Sequence, residues 1–215
     1  MKRQNKGQQL FRQAALLLTL LCGPACVTDP QPFPLPLEPP DPQSIYVSDP
    51  QDTQSGVATG LPGATMKPEG DDLEVVISRT NRSEETRGPV YEDGSFSVKL
   101  TLLAGDALEA RLERAAEKSP RVALLWTEST PSDAIFEVNA SAAQGGQVTV
   151  SGRATAGHRV MVGNLRSGAA ASAVAGSSSD YTVVIAGVAG DRISAFAVDP
   201  ATRVATKALE ALVPP

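Results

Sequence analysis

The chain has 215 residues, 19 basic and 24 acidic, for a net charge of −5, with one histidine and two cysteines. That length holds one or two ordinary domains, and the acidic balance disfavours a phosphate backbone as partner, so no nucleic acid is expected. Both cysteines, Cys22 and Cys26, fall near the start of the chain, so the rest has to be held by apolar burial without disulfides.

Lys2, Arg3, Lys6 and Arg12 lead into an uncharged apolar run, Ala14 to Leu21, then a small-residue tail, Gly23-Pro24-Ala25, ending at Cys26. Basic, apolar and small in that order is the plan of an export signal, and an apolar core of about 8 residues is too short to span a ~30 Å hydrocarbon layer. The reading is a signal peptide over 1–25. Its removal takes those four cations and leaves 15 basic against 24 acidic residues, a net charge of −9. With no polybasic patch left, attachment to a membrane has to be covalent. A cysteine directly after a small residue at the end of such a signal resembles the bacterial lipoprotein pattern. That resemblance implies a diacylglyceryl group on Cys26, and Val27 in place of an aspartate implies the outer membrane. Gly23 departs from the leucine usual at its position in that pattern. The alternative is plain cleavage after Ala25, giving a periplasmic or secreted protein with a free thiol, a liability in an oxidising compartment.

Pro30, Pro32, Pro34, Pro36, Pro39, Pro40 and Pro42 follow. Proline fixes φ and donates no hydrogen bond, so residues 26–43 read as an extended linker at about 3.1 Å per residue, a spacer of up to roughly 50 Å.

The remainder repeats itself. Phe96, Val98 and Leu100 recur as Tyr181, Val183 and Ile185, and Leu103-Ala104-Gly105-Asp106 as Val188-Ala189-Gly190-Asp191. Leu108 and Ala110 recur as Ile193 and Ala195, and Val75 and Ile77 as Val160 and Val162, all at an offset of 85. Gly60 meets Gly152 at 92, so the first copy carries about seven extra residues around Pro68-Glu69-Gly70-Asp71. Such self-similarity is the mark of an internal duplication. Ser95 to Leu100 alternates apolar and polar residues, as a half-buried strand does. Leu108 to Glu113 alternates too, although its composition favours helix; its counterpart, Ile193 to Val198, is β-branched and aromatic, and both are read as strands. Glu92-Asp93-Gly94 and Ala104-Gly105-Asp106 supply turns. The fold class expected is all-β, two tandem immunoglobulin-like β-sandwiches of about seven short strands each, at 44–128 and 132–213.

Gly60-Leu61-Pro62-Gly63-Ala64, then Asp93-Gly94-Ser95-Phe96 and Gly105-Asp106-Ala107-Leu108, resembles bacterial immunoglobulin-like surface modules and also the carboxypeptidase-regulatory, transthyretin-like sandwich. The resemblance covers most of residues 55–112 and implies architecture, in modules that space, display or bind and seldom catalyse.

Catalytic patterns are sparse. A histidine-based zinc site or a Ser-His-Asp triad would have to use His158, which aligns with Leu73 at a strand start and reads as a surface residue. No Gly-x-Ser-x-Gly elbow or phosphate loop occurs. Glu69, Asp71 and Asp72, with Glu92 and Asp93, are the carboxylates that a calcium ion would use, but their spacing matches no calcium loop and they read as a solvated rim. Trp126 and Tyr91 read as packing residues. The expectation is a non-enzymatic envelope lipoprotein with no catalytic residue, cofactor or metal. It meets the membrane through lipid on Cys26 and an unidentified protein or glycan through its domains. A small hydrolase using acidic residues is the remote alternative.

Overall fold

The computed structural model describes residues 36–50, 54–103, 105–126 and 135–215. The signal, Cys26, the rest of the expected linker up to residue 35 and the expected junction at Ser129-Thr130-Pro131 lie outside the described residues. Within them all regular structure is β except one 3₁₀ turn, Pro42–Ser44, and no helix is long and apolar enough to cross a membrane.

The first sandwich comprises β1 (Ile45–Val47), β2 (Ser55–Gly60), β3 (Glu74–Arg79), β4 (Glu84–Pro89), β5 (Phe96–Thr101), β6 (Leu108–Arg114), β7 (Glu117–Lys118) and β8 (Val122–Ala123). One sheet runs β1-β2-β5; the other runs β4-β3-β6-β7, with β8 also on β6. The second sandwich comprises β9 (Ile135–Ala140), β10 (Gln147–Ala154), β11 (Arg159–Asn164), β12 (Ala170–Val174), β13 (Asp180–Ala186), β14 (Arg192–Val198) and β15 (Leu209–Leu212). Its sheets run β9-β10-β13 and β12-β11-β14-β15. Strand for strand this is the connectivity of the first sandwich, and every described pairing is antiparallel within the sheets. Both are immunoglobulin-like sandwiches. The extra residues of the first copy fall in the loop between β2 and β3, and packing reaches back into the proline-rich stretch, where Leu37 and Pro40 are buried.

Each sandwich has its own core. Ile45, Val75, Ile77, Phe96 and Leu112 fill the first, and Val148, Val160, Val162, Tyr181 and Ile193 the second. Phe96 is fully buried against β2, and its ring occupies the space that a Cβ on Gly60 would need. The helix-favouring β6 is a strand because both of its faces find partners. Leu108, Ala110 and Leu112 enter the core, while Arg111 and Glu113 on the opposite face pair with charges on β4 and β7.

The repeated aspartate has the same task in both copies. Asp106 accepts the Leu103 N–H at 2.8 Å and Arg79 Nη1 at 3.3 Å; Asp191 accepts the Val188 N–H at 2.9 Å and Asn164 Nδ2 at 2.7 Å. Burial pushes both carboxyl pKa values up, but the backbone and side-chain donors outweigh it and hold both below the usual carboxylate value. The recurring Ala-Gly-Asp is therefore a turn locked by a buried anion.

A third apolar cluster joins the two sandwiches. Val57, Met161, Phe196, Val198 and Ala205 are buried together, with Tyr46, Leu61, Leu165 and Ala208 packed on them. The outer face of β1-β2-β5 thus lies on the outer face of β12-β11-β14-β15, giving four stacked sheets. Small residues permit the approach: Gly163 faces Ser97 where no Cβ would fit, and Ala170 N–H reaches Ser95 Oγ at 2.9 Å. Lys99 and Glu210 pair across the rim at 2.6 Å. The β14–β15 loop then grips the start of the first sandwich. The Arg203 guanidinium lies 4.4 Å from the Tyr46 ring centroid and donates to Gln43 O and Ile45 O, and Asp49 N–H donates to Thr206 O.

Candidate binding surface on the first sandwich

Alternation along β4, β3 and β6 sends one set of side chains outward, away from the second sandwich, and the antiparallel register aligns them in rows. Ser78, Glu85 and Glu109 form one row, Val76, Arg87 and Arg111 the next, and Glu74, Pro89 and Glu113 the third. Lys118 and Arg121 close the flank. Two rows holding acids therefore bracket a row holding arginines.

Arg111 grips Glu85 with two bonds, 2.9 and 3.0 Å, and Glu113 with two more, 2.8 and 2.6 Å. Its side chain is 5% exposed and that of Glu113 is 8%, so the pairing shields charge that burial would otherwise penalise. Arg87 also pairs with Glu113 and reaches Glu74 at 3.5 Å. The Arg87 bond, with Arg111 and Lys118 behind it, outweighs burial and holds the Glu113 pKa down to about 2. Hydrogen bonds from Arg111 lower that of Glu85 in the same way. Both carboxylates are ionised at neutral pH, a state that suits an ion pair and not a general acid.

Beside this ladder the extra loop of the first sandwich builds surface relief. A groove of about 490 Å³ runs between the loop and the ends of β3, β4 and β6, lined by Lys67, Asp72, Glu74, Arg87 and Glu113. A second hollow of about 350 Å³ adjoins it through Lys67 and is walled by Pro68, Glu69 and Glu92. Lys67 Nζ donates to Val90 O at 2.6 Å.

The carboxylates singled out from sequence are dispersed around this relief. Asp71 is paired with Arg114 at 2.5 Å, Asp93 accepts Ser95 N–H, and Glu69, Asp72 and Glu92 line the hollows. No group of three or more potential metal ligands forms among the described residues. His158 stands where β11 begins, its N–H on Thr155 O and its C=O accepting from Ala175. Trp126 packs on the first core. Tyr91, carried by the first sandwich, packs on the core of the second. The sequence reading missed Arg111, Glu85, Arg87 and Glu113; the available signal was charge at the alternate positions of β6 and β4.

No protein-family model matches the chain, and no characterised protein matches it in sequence. Several solved structures resemble the chain. The BSP domain of a biofilm-associated protein matches 80% of this chain, at 14% identity and a TM-score of 0.33. This chain spans only 29% of that one. A two-domain fibronectin type III segment of chicken tenascin matches 83% of this chain and all of its own length, at 17% identity and a TM-score of 0.29. A structure of a 1.5-MDa bacterial ice-binding adhesin matches 83% of this chain and 65% of its own length, at 17% identity and a TM-score of 0.30.

Proposed function

We propose that this chain is a non-enzymatic lipoprotein of the bacterial cell envelope. Cys26 carries the lipid and places the protein at the outer membrane, residues 26–43 serve as its linker, and the domains at 44–128 and 132–213, a duplicated pair, present surfaces to a protein or glycan. The groove beside β4 and β6 is the surface offered for that partner. The supporting observation is electrostatic: Glu85 and Glu113, beside the groove, are each held ionised by arginine, an arrangement for recognition more than for proton transfer. The anchor rests on Gly23-Pro24-Ala25-Cys26 following the basic and apolar segments. Intact-mass measurement of the mature N-terminus, with detergent partitioning of wild type against Cys26→Ser, tests it. An acylated Cys26 and a detergent-phase protein that turns aqueous in the variant are expected. An unmodified thiol, or equal partitioning of the two, refutes the anchor.

A further inference from the structure

Residues 168–190 contain one charged side chain, Asp180, whereas the positions 85 earlier contain Glu84, Glu85, Arg87, Glu92, Asp93 and Lys99, together with Pro89. The contrast falls on sheet edges. β4 and β5 end the two sheets of the first sandwich on one side, and β12 and β13 end those of the second. An edge strand exposes unpaired backbone groups and is normally guarded by charge or proline against adding another chain. β4 has both guards and β5 has Lys99. In β13 the position of Lys99 is taken by Val184, 51% exposed, within the uncharged, largely β-branched run Tyr181 to Ala186. Such runs pair readily with other strands.

The backbone fixes how a strand would add. Ala154 N–H donates to Ser179 O and Gly187 N–H to Gly146 O, so in this register the odd-numbered residues of β13 bond inward to β10. Thr182 and Val184 turn their N–H and C=O outward. Farther out, Asp180 O already accepts Gly176 N–H, and Ala186 O accepts Asn164 Nδ2. Pairing is thereby confined to the middle of the strand.

We propose that β13 pairs antiparallel with β13 of a second copy of this chain across a two-fold axis at Val183. Thr182 of each copy lies opposite Val184 of the other, and four N–H···O=C bonds join the three-stranded sheets into one of six. A second copy is favoured over a foreign peptide by the charge pattern. In a two-fold contact the same strand supplies both sides, so a charge next to the axis, as at position 182 or 184, lies within reach of its own twin and repels it. A different partner would be selected by opposite charge, which the pairing middle of this strand, Tyr181 to Ala186, does not offer.

The test is sedimentation equilibrium of the processed chain carrying Cys26→Ser, so that no acyl chain forms micelles, from low micromolar to near-millimolar concentration. Wild-type sandwiches are expected to dimerise. Val184→Lys, which restores the guard of the first copy, and Val184→Pro, which removes an outward N–H, are expected to weaken dimerisation at least tenfold with an unchanged melting curve. Val184→Thr keeps the backbone and is expected to dimerise like wild type. A wild type that stays monomeric throughout, a Val184→Lys variant that still dimerises, or a loss in Val184→Thr equal to that in Val184→Lys would each overturn the proposal.

Discussion

The same sheet face has opposite chemistry in the two sandwiches. On the first, Glu85, Arg87, Glu109, Arg111 and Glu113 stand outward on β4 and β6. The positions 85 later hold Ala170, Ser172, Ser194, Phe196 and Val198, and Phe196 and Val198 are buried against the neighbouring sandwich. One scaffold thus supports either a self-neutralised ion network facing water or an apolar contact. What differs is whether the face is covered by a neighbouring sandwich.

Exchanging residues between the two faces should have the largest effect. Phe196→Arg copies Arg111 without its glutamates and leaves a charge between two apolar sheets. The expected loss is about 3–5 kcal/mol, read from chemical denaturation; a loss under about 1 kcal/mol would mean that the sandwiches separate freely. Phe96→Ala, in the core of the first sandwich, is expected to cost about 3–5 kcal/mol as well, but it leaves the contact between sandwiches intact. A wild-type melting curve for this variant would refute the core assignment.

Arg111→Met is expected to cost about 3 kcal/mol because Glu85 and Glu113 lose their shared cation. Arg111→Phe with Glu113→Val should recover part of that stability, since the buried pair is then apolar and Glu85 keeps Arg87 and Arg121, while the face becomes more like the covered one. Light scattering of the double variant is expected to show association, and a monodisperse monomer would separate face chemistry from stacking.

Acid sharpens the same contrast. The Glu113 pKa lies near 2 in the fold, below its unfolded value of about 4.3, so its stabilisation is complete above the unfolded value. It is lost as pH falls from there towards 2. Stability measured across that range should fall more steeply in wild type than in Arg111→Met, and equal slopes would contradict the ladder. The smallest effect expected is for Lys99→Ala. It removes the rim pair with Glu210 and should cost about 0.2–1 kcal/mol, with a dependence on salt.

Much of the fold was legible because the matching positions at an offset of 85 let one sandwich interpret the other. β6 alone has a helix-favouring composition, and its counterpart β14 identifies both as strands. The stacking was harder to see. β2, β11 and β14 are buried on nearly all residues, and a strand covered on both faces loses its alternation. Phe196 and Met161, at positions where the first copy has Arg111 and Val76, were the sign that it left. The groove was not legible, since it depends on where an irregular loop comes to rest. The sequence locates Lys67 and Asp72 beside the extra residues but does not say that Arg87 and Glu113 face them.

Arg203 and Thr206 belong to the last sandwich, yet they hold Gln43, Ile45 and Asp49 at the start of the first. Tension applied at Pro36 therefore meets Leu37 and Asp41, held by the first sandwich, and then Gln43, Ile45 and Asp49, held by the second as well. A chain stitched this way meets a pull as a single mechanical body, and the grip on its first strand has to be peeled away before either half can extend alone.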